Sequence, residues 1–342
     1  MKGKILVTGG TGYIGSHTVV ELQNVGFEVV IIDDLSNSTA GVVDQIAQIT
    51  GIRPEFHPFN LQNLDLLDAF FEQTKGIGAV IHFAAFKAVG ESVKKPLSYY
   101  RNNILSLVNL FECMDKHRVN NLVFSSSCTV YGQPAQLPVT EQTPRKEAES
   151  PYGNTKIVCE DIIRDYTKAN PRIQSIALRY FNPIGAHPSA LIGELPNGIP
   201  NNLVPFVTQT AAGLREQLQV FGNDYDTPDG SCIRDYINVV DLAKAHVVAI
   251  GRLMDKKNES AFEFFNVGTG KGVSVLELLN AFEKATGQKV NYRIAGRRAG
   301  DIEKIYADTT KANQVLGWHS AASLEETLLS AWNWEKKIRK MD

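Results

Sequence analysis

The chain has 342 residues, is 43% hydrophobic and 21% charged, and carries a formal net charge of −2. That is enough for one domain with a large appendage, or for two, around a sizeable buried core. Acids and bases are interspersed, so no basic stripe points to nucleic acid. The four cysteines, Cys113, Cys128, Cys159 and Cys232, show no Cys-x-x-Cys spacing and read as free thiols in a reducing, cytoplasmic setting. The seven histidines are scattered, without the helical pairing of a metal site. Met1-Lys2-Gly3 leads straight into an apolar run with no signal segment, and no apolar stretch has membrane-spanning length.

Ile5-Leu6-Val7 reads as a buried parallel strand. Gly9-x-x-Gly12-x-x-Gly15 follows it and opens a helix with apolar positions at Ile14, Leu22 and Val25. A second apolar run, Val29 to Ile32, ends in Asp33-Asp34. Strand, glycine turn, helix and strand make one βαβ unit. Its glycines permit a tight turn and close approach to a pyrophosphate, which the free N–H groups of the helix start would meet. Asp33 stands 18 residues after Gly15, placed to accept from a ribose 2′-hydroxyl. A carboxylate there repels a 2′-phosphate, so the pattern predicts NAD rather than NADP.

Further strands are predicted at 55–59, 79–83, 121–124 and 173–178, with helices at 64–71, 97–115 and 152–168 between them. This alternation predicts an α/β doubly wound parallel sheet. Ligands of such sheets bind at the carboxyl ends of strands, where Asp33, Asn60, Ala84, Ser127 and Asn182 fall. From Pro183 to Pro205 the chain turns rich in Pro, Gly and Asn and reads as a binding loop. Beyond it, predicted helices at 203–214, 239–250, 274–285, 309–316 and 324–334 mix with strands at 219–221, 262–267 and 289–293 in a smaller lobe. Arg234 and Arg298 lie beside these elements, and arginine forks suit a diphosphate.

Ser150-Pro151-Tyr152-Gly153-Asn154-Thr155-Lys156 opens the helix at 152–168. Serine is a good N-cap, and proline fits the first turn. Tyr152 and Lys156, at i and i+4, share one face. An ammonium close to a phenol favours the phenolate, drawing it down from about pH 10 and making it a base for a sugar hydroxyl. Alone, such a pair is a common solvated contact; its weight comes from the glycine turn and the strand ends around it.

Thr8-Gly9-x-x-Gly12-x-x-Gly15, Ser125-Ser126-Ser127, Tyr152-x-x-x-Lys156 and Arg179-Tyr180-Phe181-Asn182 together resemble the extended branch of the short-chain dehydrogenase/reductases. Within it, the runs Lys87 to Ser92, Thr129 to Gly132, Phe181 to Pro188, Gly198 to Leu203, Phe221 to Tyr225 and Arg234 to Ile237 are similar to the UDP-hexose 4-epimerases. The resemblance runs from residue 3 to about residue 334. It implies a Rossmann-like NAD domain at 1–182, whose sheet also receives segments from about 232–267, and an interleaved substrate lobe at 183–342.

It further implies tightly bound NAD and interconversion of UDP-galactose and UDP-glucose through a 4-keto sugar. Tyr152, Ser127 and Lys156 would be catalytic. Gly9, Gly12, Tyr13, Ile14, Gly15, Asp33, Asp34, Asn37, Asn60, Leu61, Phe83, Ala84, Ala85, Lys87, Asn102, Ser125 and Tyr180 would join Tyr152 and Lys156 in holding NAD. Lys87, Ser127, Tyr152, Asn182, Asn202, Leu203, Gln219, Phe221, Arg234, Arg298, Asp301 and Ile305 would hold the substrate. A homodimer through the helices at 97–115 and 152–168 is implied as well.

Three residues depart from the family's pattern. Asn60 replaces an aspartate, so its amide oxygen is expected to accept from the adenine amino group. Asp34 stands where asparagine is common. Cys128 replaces a small alanine and is expected to pack, with possible sensitivity to oxidation. The Ile305 wall leaves UDP-N-acetyl sugars open as alternative substrates. A 4,6-dehydratase is disfavoured, because Cys128 and Thr129 stand where those enzymes carry acids. A non-catalytic NAD sensor would not need the Tyr–Lys pair.

Overall fold

The computed structural model describes residues 2–298 and 301–341; Met1, ahead of the first strand, lies outside them. The first half alternates strand and helix, with two consecutive helices only between β4 and β5: β1 (Lys4–Thr8), α1 (Tyr13–Asn24), β2 (Glu28–Ile32), α2 (Gly41–Thr50), β3 (Glu55–His57), α3 (Leu64–Gln73), β4 (Ile77–His82), α4 (Val89–Lys94), α5 (Pro96–Lys116), β5 (Asn121–Ser127), α6 (Pro151–Ala169) and β6 (Gln174–Tyr180). The second half adds β7 (Asn182–Ile184), α7 (Leu203–Ala211), β8 (Leu218–Phe221), β9 (Ile233–Arg234), β10 (Tyr236–Asn238), α8 (Val239–Met254), β11 (Phe262–Val267), β12 (Val273–Ser274), α9 (Val275–Thr286), β13 (Tyr292–Ala295), β14 (Lys304–Ile305) and α10 (Leu324–Arg339).

Seven strands form one parallel sheet in the order β11-β6-β5-β4-β1-β2-β3. The order reverses at β1, where a crevice opens beyond the strand ends. Both faces of the sheet are covered, which is why its strands are nearly continuous apolar runs. On one face Val19, Val20 and Leu22 of α1 and Leu242, Ala245 and Ala249 of α8 bury against Ile5, Val7, Ile81 and Leu178. On the other, Leu67 and Phe71 of α3, Leu107 and Leu110 of α5 and Ile163 of α6 bury against Leu6, Val80 and Leu122. The lobe has its own core from Val207, Leu218, Leu279, Phe282, Leu328 and Trp332.

Local chemistry sets the helix starts. Ser150 accepts from Gly153 N at 3.2 Å with Pro151 next to it, and Asn63 accepts from Leu66 N at 3.1 Å. Ser274 with Glu277 and Ser323 with Glu326 close reciprocal capping boxes on α9 and α10. The sequence reading differs from the structure at several elements, among them the short strands β7, β9, β10, β12 and β14, which it does not name. It omits α2 and α4, and it places the strand at 289–293, whereas β13 begins at Tyr292, where it pairs with Leu218 of β8. Register with a distant strand, not local pattern, sets that start.

Candidate active site

The glycine turn between β1 and α1 is built for backbone approach. Gly9 has φ +72°, and a Cβ there would come within 2.7 Å of Ala84 N; one on Gly15 would come within 2.1 Å of Gly9 O. Gly12 is the N-cap of α1 and has no side chain to satisfy the first-turn N–H groups. Those groups are left for an anion. Ile14 packs on the sheet core, and the Tyr13 hydroxyl donates to Gly185 O at 2.7 Å.

After β2, Asp33 Oδ2 accepts from Thr11 N at 3.1 Å and Oδ1 from Leu35 N at 2.9 Å. This holds a carboxylate at the crevice beside the glycine turn. Asp34 and Asn37 are exposed in the turn that follows. Asn60 Nδ2 donates to Asp34 Oδ2 at 2.6 Å, and Asn60 Oδ1 accepts from Gln62 N at 2.8 Å. The amide oxygen expected to face adenine thus also serves its own chain, with a second lone pair left to accept. Leu61 is buried in the core, and Gln62 Nε2 donates to Asn102 Oδ1 at 3.1 Å. At the end of β4, Phe83 N donates to Thr8 O at 3.0 Å, and Ala84 and Ala85 lead to Lys87. These positions suit a dinucleotide: a cradle that any side chain would fill, uncapped amides, and an acid at the ribose distance.

Ser127 ends β5, and its Oγ accepts from Thr129 N at 3.2 Å. The Tyr152 phenol is buried beside Ser127. Burial, then the neighbouring Tyr180, push this phenol well above its ordinary value; Ser127 opposes them. Lys156 Nζ donates to Ser125 O at 2.6 Å and lies 5.9 Å from the Tyr152 ring centroid. Burial lowers the ammonium to about 8. Lys156 is thus engaged with the β5 backbone, and burial is the largest influence on the phenol beside it. Tyr180 OH bonds Ser125 Oγ. Cys128 is buried and pushed up to about 12, a protonated packing thiol rather than an oxidation-prone one.

One residue absent from the sequence reading ties this helix to the cofactor side. Asn103 Nδ2 donates to Thr155 Oγ1 and to Phe86 O, both at 3.0 Å, and Asn103 Oδ1 accepts from Phe86 N at 2.8 Å. Thr155 Oγ1 in turn donates to Tyr152 O at 2.7 Å. A buried asparagine inside a helix carries no motif, and only its doubled neighbour Asn102 hinted at it.

The lobe residues fall into groups. Asn182 pairs with Tyr236 in the β7–β10 ladder. Arg234 is half-buried at the end of β9, its Nη1 donating to Ile233 O at 2.8 Å, and pairs with Ile305 of β14. Ile305 is buried in one cluster with Cys128, Val130 and Phe181, so it walls the catalytic end. Arg298 donates to Asp301 Oδ1 at 2.6 Å and lies 5.4 Å from the Phe221 ring centroid. Gln219 is exposed in β8, two residues before Phe221. Asn202 and Leu203 begin α7. Among the described residues no group of three His, Cys, Asp or Glu could hold a metal ion, and no helix is long and apolar enough to cross a membrane.

A doubly wound sheet with a glycine turn at its switch point and a Tyr-x-x-x-Lys helix beside Ser127 defines a dinucleotide-dependent short-chain dehydrogenase/reductase of the extended type. The family model described as GDP-mannose 4,6 dehydratase, from this branch, matches residues 6–330. A UDP-glucose 4-epimerase of Dictyostelium discoideum is 51% identical over 97% of this chain and 95% of its own. One of Bacillus subtilis is 51% identical over 97% and 96%. The crystal structure of UDP-glucose 4-epimerase from Bifidobacterium longum in complex with NAD+ and UDP superposes with TM-score 0.93 at 46% identity, over 98% of both chains. The chain belongs to the UDP-glucose 4-epimerase family.

Proposed function

We infer that this chain is an NAD-dependent epimerase that inverts C4 of a UDP-hexose, interconverting UDP-galactose and UDP-glucose. The observation that carries the reading is the Tyr152 phenol buried beside Ser127, with the Lys156 ammonium 5.9 Å from its ring, at the carboxyl end of β5. Gly9, Gly12, Gly15, Asp33 and Lys87 would hold NAD, with Asn102, Ser125 and Tyr180 nearer the chemistry. When bound, NAD supplies a hydride acceptor and donor and a positive charge near the phenol. Tyr152 takes the proton from the sugar 4-hydroxyl and later returns it. Ser127, beside Tyr152, would orient the sugar hydroxyl. Lys156 holds the β5 backbone at Ser125 and adds positive charge beneath the ring. Arg234, Arg298, Asn182, Asn202, Leu203, Gln219 and Phe221 would grip the UDP, leaving the 4-keto sugar free to turn over before reduction on its other face.

The division into a cofactor unit at 1–182 and a substrate lobe at 183–342 belongs to this proposal, as does a cytoplasmic setting. So does a homodimer through α5 and α6: Leu97 is 78% exposed and Leu105 39%, apolar surface beyond the core-facing stripe of α5. A monomer mass by light scattering at micromolar concentration would refute the dimer.

The test of function is to incubate purified protein with UDP-galactose, no cofactor added, and follow UDP-glucose with a coupled assay. Conversion is expected from co-purified NAD. No conversion, even with NAD supplied, refutes the reading.

A further inference from the structure

Tyr152, Lys156 and Glu160 follow one another at four-residue steps along α6, so their side chains share one face of the helix. All are buried, Glu160 almost completely. Its carboxylate meets one rung of the ladder between β5 and β6, Ser126 opposite Arg179. Ser126 Oγ donates to Glu160 Oε1 at 2.6 Å, and Arg179 donates Nε to Oε1 at 2.8 Å and Nη2 to Oε2 at 2.6 Å. Arg145 Nη1 stands farther off, 3.7 Å from Oε2. Arg179 is fixed in its turn: Nη1 donates to the Tyr131 hydroxyl at 3.0 Å, and the guanidinium lies 4.1 Å from the Phe264 ring centroid.

Ser126 stands between Ser125, whose carbonyl takes the Lys156 ammonium, and Ser127, beside which Tyr152 is buried. Successive side chains of a strand point to opposite faces. Ser126 therefore reaches α6 while Ser125 turns its hydroxyl to Tyr180. A buried ion pair adds little net stability over apolar residues of like volume. What the Glu160 carboxylate adds is direction. Its charge-assisted bonds to both strands set the height and rotation of α6 above them.

The carboxylate also brings charge. Around Tyr152 and Lys156 the titratable groups are His82 of β4, Tyr99 of α5, Tyr180 of β6, Cys128, and Cys159 and Glu160 of α6. Burial, with the Lys156 charge after it, lowers His82 to about 3. Burial pushes Cys128, Cys159 and Tyr180 up to about 12 and raises Tyr99 as well. These groups are uncharged at neutral pH. Glu160 is the one carboxylate in the set, and with Cys159 it opposes the burial that lowers the ammonium.

We propose that Glu160 is a positioning residue for the hydroxyl chemistry: through Ser126 and Arg179 it seats the first turns of α6 on β5 and β6, with Tyr152 at Ser127 and Lys156 at the Ser125 carbonyl. This rests on the functional reading above.

The test is the pH profile of kcat on NAD-loaded protein, with calorimetric titration of UDP in parallel, for wild type, Glu160→Gln and Ser126→Ala. Gln keeps an acceptor for Ser126 and removes the charge; Ser126→Ala keeps the charge and removes one anchor. Glu160→Gln is expected to lower kcat about tenfold at neutral pH and to move its alkaline limb about one unit lower, as Lys156 loses its proton sooner. Ser126→Ala is expected to lower kcat about threefold with the limb in place, and UDP affinity to stay within about threefold of wild type in both. Where Glu160→Gln does not fold, Ser126→Ala decides alone. A wild-type pH profile in Glu160→Gln, a wild-type kcat in Ser126→Ala, or a loss of UDP affinity that matches the loss of kcat overturns this proposal alone. Wild type that does not convert UDP-galactose overturns the functional reading, and this proposal with it.

Discussion

Asn60 and Asp34, 26 positions apart in the chain, meet beyond the ends of β2 and β3, Asn60 Nδ2 donating to Asp34 Oδ2 at 2.6 Å. Read separately, they are two departures from the family's pattern. Together they are one amide–carboxylate pair with its members exchanged. Asn60→Asp would set two carboxylates face to face, and Asp34→Asn would set two amides there. Either single change is expected to lower the NAD retained through purification, and the double exchange to restore it. Equal losses in all three variants would show that the pair does not act as a unit.

Asp33 holds the backbone N–H groups of Thr11 and Leu35. Asp33→Ala therefore removes both the charge that repels a 2′-phosphate and a brace of the glycine turn. The NAD-over-NADP preference is expected to narrow, with a lower melting temperature. Initial rates on protein reloaded with each dinucleotide check this, and an unchanged preference would take Asp33 off the ribose.

Tyr152→Phe leaves the ring packed and removes the proton carrier. Turnover is expected to fall by about 10²–10⁴-fold while UDP affinity stays near wild type. Turnover near wild type would reassign the base.

Burial lowers the His17 and His82 imidazoles to about 3 and His246 to about 4. In the unfolded chain each titrates near about 6.5. The unfolded state therefore binds more protons between those values, and stability falls as pH drops through that window. The urea midpoint is expected to decline from about pH 6.5 toward pH 4. His246→Phe, if it folds, is expected to flatten that decline; an equal slope in the variant would place the acid sensitivity elsewhere.

Beneath the catalytic strands, Arg179 donates Nε and Nη2 to the two Glu160 oxygens at 2.8 and 2.6 Å, both residues being almost fully buried. Arg179→Met leaves that carboxylate desolvated with only Ser126 and a more distant Arg145. A loss of about 3–5 kcal/mol in urea unfolding is expected. Pairing it with Glu160→Met is expected to recover most of that loss, and an additive double variant would refute a mutual pair.

Much of this was legible in the sequence because buried parallel strands write themselves as short apolar runs and the site residues fall at their ends. Gly9, Asp33 and Ser127 could be placed that way. The Tyr152–Lys156 spacing put both side chains on one face, but not the burial that raises the phenol, nor the Ser125 carbonyl that takes the lysine. Asn103 is one amide among several on α5, and its role exists only through partners far away in the chain. Helix α2 has helically spaced Val43 and Ile46, yet glycine and polar residues dilute its pattern.

β11, the outermost strand on the β6 side, is made after β7 to β10 and α8, yet it is what covers β6. During synthesis the apolar run Ser175 to Leu178 has no outer neighbour until Phe262 to Val267 emerge from the ribosome. Until then β6 is an open edge able to pair with another chain. Chains released between those points are the ones most exposed to aggregation. The sheet that carries Ser127 is thus closed only after β9 and α7 are made, and β9, which carries Arg234, waits longer still, for β12 and β14.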